Sequence, residues 1–384
     1  MLAVDMGKRT KSTSRDGFRL LGARYLRKQA RRLARELDGA RRSENVERVH
    51  QARVASRRLR AALGLFRDCF KRKQWKRWRK HVRRVTEGLG AARDKDVQIE
   101  FVCGFLHGLD AEAHCPGIAR LLVRWEEQRE RLQPEVVEAV DRFQAGGVLG
   151  EIQATTDKLI KQSNGKQVAV RSPAALTRTR KAILECLDSL RLREDCLDEP
   201  EDIEQHHAMR IAAKRLRYTV EISDPVYEGG LAEHLKSIKR VQTLLGDIHD
   251  CDVWLEELRA FDRDERRRIA SRFGDDGPYE RLRPGIEHLA EDRRAQRGAL
   301  FEQLVAFWRQ LQADRQWERL METLEGGREA ADSSTAAQGQ PPADEPVDRP
   351  SKPRRIKRAR RRARSPLGSG GNGSSSSAAE PVGQ

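Results

Sequence analysis

The sequence predicts an all-α protein with an internal duplication and an irregular C-terminal tail. Apolar residues recur with a helical rather than an alternating rhythm, and aromatic residues make up only 5% of the chain. Two motifs then reappear in the same order at nearly one spacing. His50-Gln-Ala-Arg-Val-Ala-Ser-Arg-Arg-Leu-Arg60 returns 157 residues later as His207-Ala-Met-Arg-Ile-Ala-Ala-Lys-Arg-Leu-Arg217. Val85-x-x-x-Leu89-Gly90-x-x-x-Asp94-x-Asp96-Val97 returns 156 residues later, from Val241 to Val253.

Amphipathic patterns place helices at about Gly17 to Asp38, Val46 to Phe70, Gln74 to Glu87 and Lys95 to Leu109, with further helix between Pro116 and Lys161. Gln162 to Ser172 reads as a linker, and Pro173 opens the next helix at a position where proline is tolerated. The first repeat is expected over about 15–161 and the second over about 173–325, together one domain. Breaks are expected near Gly274 to Pro278 and at Pro284, with the helical pattern ending around Leu324. From Gly326 to Gln384 the composition turns to Ala, Ser, Pro, Gly and charge, which cannot bury enough apolar surface to order a chain. A disordered basic tail is expected over 326–384, and nine of the thirteen residues from Lys352 to Arg364 are basic.

At 384 residues the folded part needs neither disulfides nor metal for stability. With 76 Lys+Arg against 59 Asp+Glu the formal net charge is +17, which directs attention to an acidic partner. Six cysteines without a C-x-x-C pair fit a reducing compartment. Met1 to Asp16 lacks an apolar signal core, and no run approaches 18 apolar residues. A cytoplasmic protein with no membrane contact is expected.

On a helix, His50, Arg53, Arg57 and Arg60 fall within a band about 80° wide. Ala52, Ala55, Leu59, Ala62, Leu63 and Phe66 take the opposite side as a core face. The second copy sets His207, Arg210, Lys214 and Arg217 against Met209, Ala212, Leu216 and Val220. Each cationic stripe runs about 15 Å at 1.5 Å per residue, too long for one phosphate and suited to a row of them. Arginine forks would grip phosphate oxygens and the lysine would act as a mobile point charge. Lys80, Arg83 and Arg84, matched by Lys236, Lys239 and Arg240, share a face on the following helix and are expected to extend the site. The doublets Asp94/Asp96 and Asp250/Asp252 are expected to cap helices, with restraint of nearby arginines or metal binding as alternatives.

The segments H-x-x-R-[VI]-A-x-[RK]-R-L-R and L-G-x-x-x-D-x-D-V resemble those of the CHAD family, the conserved histidine α-helical domain, over about residues 15 to 325. That resemblance implies two pseudo-symmetric helical bundles around a basic groove or cavity, and binding of inorganic polyphosphate without hydrolysis. It assigns the ligand to the fourteen stripe and second-helix residues named above, with Arg58 and Arg215 at the stripe's edge. Targeting to polyphosphate granules would follow. The E-x-E-x-K signature of an associated triphosphate tunnel domain has no match, since Ile203 stands where Glu199-Pro-Glu201 would require lysine. No catalytic residue, cofactor or metal is expected. The alternatives are nucleic-acid binding through the basic surface and tail, and a metal-dependent phosphohydrolase using the histidines and Asp doublets.

Overall fold

The computed structural model describes the backbone of residues 4–337 and the side chains of residues 17–327. The Lys352–Arg364 run expected in the tail lies outside the described residues. Helices make up most of the described residues, and no strand occurs among them. The first half comprises α1 (Val4–Arg42), α2 (Val46–Leu65), α3 (Arg72–Gly88), α4 (Gly90–His107), α5 (Cys115–Ala145) and α6 (Val148–Gly165). The second half comprises α7 (Pro173–Arg191), α8 (Ile203–Ser223), α9 (Ala232–Phe273), α10 (Arg283–Ala313) and α11 (Gln316–Ala337).

Local chemistry sets the entry of the two motif helices. Asn45 accepts a hydrogen bond from the Arg48 amide at the start of α2 (3.0 Å), and Asp202 accepts one from the Gln205 amide at the start of α8 (3.1 Å). Ser172 caps α7 just before Pro173, as the sequence indicates. The 162–172 linker is shorter than expected, because α6 continues to Gly165. The expected tail boundary also moves. Helix α11 runs through Gly326 to Ala337, and Gly327 sits against the Tyr227 ring and Leu176 while its carbonyl accepts from Arg171 (3.5 Å). Packing against α7 thus overrides the poor helix propensity of the Gly326-Gly327 pair.

Helices α1, α2, α7 and α8 lie at the junction of the halves: α1 packs on α7 and α2 on α8. All six residues expected on the core face of α2 are buried, as are Met209, Ala212, Leu216 and Val220 of α8. Arg58 of α2 crosses to Glu221 of α8 at 3.0 Å, so this edge residue ties the halves together.

A second apolar cluster joins α4 and α5 to α9 and α10 through Val102, Ile118, Leu121, Trp125, Trp254 and Leu258, among others. There α5 and α10 begin with matching Pro-Gly-Ile sequences, Pro116-Gly117-Ile118 and Pro284-Gly285-Ile286, 168 residues apart. A Cβ on Gly117 would overlap the Leu282 carbonyl, and one on Gly285 would overlap the His114 carbonyl. Glycine is what lets the two helix starts touch.

Candidate polyanion-binding site

The duplicated stripes meet. Lys214 of α8 is half-buried, and burial, followed by the positive charges of Arg57, Arg210, Arg60 and Arg53, pushes its ammonium down to about 8. Three of those four arginines belong to α2, so the cationic faces of the two repeats form one site at their junction. Arg210 is likewise lowered, first by burial and then by Arg57 and Arg53.

Two carboxylates offset this crowding. Arg53 donates to Asp94 at 2.5 Å and to the Gly90 carbonyl at 3.0 Å, while Arg210 lies 4.0 Å from Asp250. Asp94 also acts on Arg210, which places both carboxylates within one electrostatic cluster. The Nε atoms of Arg53, Arg210 and Arg217 are covered and lack an acceptor among the described residues. A site holding several guanidinium groups against two acids retains a demand for further acceptor oxygens.

The Asp doublets therefore do not cap helices. Leu89 keeps helical geometry between α3 and α4, and the Arg93 amide already donates to the Leu89 carbonyl, leaving no unpaired first turn at Asp94. In the second half Asp250 and Asp252 lie well inside α9. The first Asp of each pair restrains a stripe arginine. The second is a structural anchor: Asp96 receives Arg129 of α5 at 2.5 Å and Asp252 receives Arg297 of α10 at 2.5 Å. Asp96 and Arg297 are buried, and Arg129 is partly covered.

The histidines differ between halves. His50 Nδ1 accepts from Arg93 at 3.0 Å, whereas His207 Nδ1 lies 3.1 Å from His249 Nδ1. Arg93 and His249 occupy equivalent positions 156 residues apart and were not singled out by sequence reasoning. Their signal was available, since each directly precedes the first Asp of the second motif. Burial, followed by Arg93, lowers His50; burial, followed by Arg210, lowers His207 and brings His249 down to about 4.

The second-helix cations do not all join the site. Arg217 donates to Gln242 of α9 at 2.5 Å, which fixes the side of α9 that faces the stripe. Lys239 is one turn from Gln242 on that side. Arg240 is turned away, its guanidinium over the Phe307 ring of α10 at 4.1 Å, and Lys236 pairs with Glu233 at 2.7 Å. In α3, Arg83 pairs with Glu87 at 3.0 Å. Lys80 and Arg84 act on His81, which touches the α5–α6 turn at Gly146. A shared helical face was thus too coarse a criterion, because several exposed cations lie on it but only part of it meets α8.

Among the described residues no helix is long and apolar enough to cross a membrane. The family description "CHAD domain" matches residues 24–259. "Uncharacterized protein Rv2226" of Mycobacterium tuberculosis is 29% identical over 236 residues, covering 58% of this chain and 42% of that protein. The chain thus spans less than half the length of this curated relative. Among solved structures, "PptA from Streptomyces chartreusis" is 19% identical with a TM-score of 0.50, covering 76% of this chain and 99% of that one. The CHAD domain from the plant Ricinus communis is 20% identical with a TM-score of 0.47, covering 82% and 92%. At 19% identity the likeness to the Streptomyces structure speaks to fold alone. The family match covers more than half of the chain and includes both histidine motifs and both Leu-Gly-Asp motifs, and the protein belongs to the CHAD domain family.

Proposed function

We propose that the joined α2 and α8 stripes hold inorganic polyphosphate without hydrolysing it. The observation that carries this reading is the placement of Lys214 among Arg53, Arg57 and Arg60 of the other repeat. Like charges drawn together in a partly buried site repel, and an extended polyanion relieves that repulsion along its length. Asp94 and Asp250 hold two of the arginines in place until phosphate oxygens replace them. The Asp doublets, which could have offered oxygens to Mg²⁺, are engaged with arginines instead, which favours binding over metal-assisted hydrolysis. Retention at polyphosphate granules is the cellular behaviour this site would support.

Selectivity is the test. The full chain should bind polyphosphate with strong salt dependence and bind monophosphate far more weakly, because only the chain spans both stripes. Replacing Arg57 and Lys214 by Gln should weaken polyphosphate binding by tenfold or more, on the order of 1.5 kcal/mol for a lost charge-assisted hydrogen bond. Equal affinity for monophosphate overturns the reading. So does displacement by duplex DNA at equal phosphate concentration, measured in a full-length variant with the Lys352–Arg364 cations changed to Gln.

A further inference from the structure

We propose that the groove between α1 and α6 is a second anion-binding surface that receives the outgoing part of a long polyphosphate chain and so confers a preference for long chains. This rests on the polyphosphate reading of the α2–α8 site, although none of that site's residues line the groove. Arg24, Arg27, Lys28, Arg31 and Arg35 of α1, with Gln153 of α6, enclose an open groove of about 660 Å³. From Arg24 to Arg35 the row covers about 16 Å of helix, comparable with one stripe of the central site.

The groove is under-neutralised. Asp157 of α6 pairs with Arg27 at 3.0 Å and Arg31 at 3.8 Å. Arg24, Lys28 and Arg35 are exposed and have no ion pair among the described residues. Such a row is a track for a strand of phosphates rather than a pocket for one anion, because its cations recur at helical spacing along an open channel.

A connection to the central site is present on α1 itself. Arg32 lies one helical turn from both Lys28 and Arg35 and points to α2, where it donates to Gln51 and acts on His50. Lys28, Arg35 and Arg32 therefore lead round α1 from the groove to the beginning of the α2 stripe. A chain long enough to leave the stripe past His50 meets cations along the whole route, and a short chain does not reach them.

The test compares long-chain polyphosphate with tripolyphosphate on the full-length protein. The variant R24Q/K28Q/R35Q keeps Arg27 and Arg31 on Asp157, so the α1–α6 ion pairs remain. The proposal expects wild type to bind the long chain more tightly and the variant to lose about tenfold of that advantage, with tripolyphosphate affinity unchanged. The slope of log affinity against log salt for the long chain should fall by about 2, at roughly 0.7 per lost contact if polyphosphate behaves as a single strand. Unchanged long-chain affinity and slope overturn the groove proposal, as does an equal loss for tripolyphosphate. Intact binding of both ligands in Arg57→Gln/Lys214→Gln overturns instead the central-site reading on which it rests.

Discussion

Lys214 shows how the proposed binding and the stability of the fold meet in a single side chain. Its ammonium is brought to about 8 against an ordinary 10.5, so at pH 7 it is charged in both the folded and the unfolded chain, and the fold bears the full cost of its burial among arginines. Between about 8 and 10.5 the unfolded chain holds more protons, so stability gained through this residue rises with pH across that window. Lys214→Met should raise the melting temperature at pH 7, lose that alkaline rise and weaken polyphosphate binding. Thermal unfolding from pH 7 to 10 checks all but the last. A lower melting temperature at pH 7 would mean that the crowding is already compensated. The histidines behave with the opposite emphasis. His50, His207 and His249 are all lowered, so they are neutral at pH 7 and the unfolded chain takes up protons first as pH falls below 6.5. The ligand-free protein should therefore lose stability on acidification, whereas a polyanion draws protons back onto the imidazoles. Polyphosphate affinity should tighten as pH falls from 7 to 5, and replacing the three histidines by Gln should flatten the profile. An unchanged profile would place the rings away from the ligand.

At the scale of elements, the chain displays its repeats openly but hides how they join. The stripe and core faces of α2 and α8 are readable because a helix separates them by a fixed angle. The Asp doublets misled because a Leu-Gly pair looks like a helix end, while the backbone passes through it nearly unbroken in the first half and wholly unbroken in α9. The reach of Arg129 and Arg297 to the second Asp of each doublet follows from tertiary packing and has no local signature. Likewise, the split between Lys239 and Arg240 became visible only once Gln242 and Phe307 showed which neighbours α9 faces. Gly117 and Gly285 carry the other hidden junction. Gly117→Ala should destabilise the protein by about 3 kcal/mol through overpacking against the Leu282 carbonyl, as read by urea unfolding. A change below about 0.5 kcal/mol would show that the α5–α10 crossing yields easily.

At the scale of the whole molecule, duplication supplies what one half lacks. A single repeat presents one exposed cationic stripe, a feature common to many solvated helices. Apposing two copies half-buries Lys214 and Arg210 and leaves two carboxylates to offset the cluster, which turns a surface property into a site. This also explains the pattern of structural anchors. Arg58–Glu221, Gly117–Gly285 and the shared aromatic cluster around Trp125 and Trp254 hold the halves in fixed apposition against the repulsion at their junction. The most direct measurement is a calorimetric titration with polyphosphate just long enough to span one stripe, using wild type, Arg57→Gln in the first repeat and Lys214→Gln in the second. One chain per protein, with either substitution weakening that same binding event, is the expected result. Two events per protein, one of them untouched by each substitution, would contradict a joint site and leave two independent basic faces.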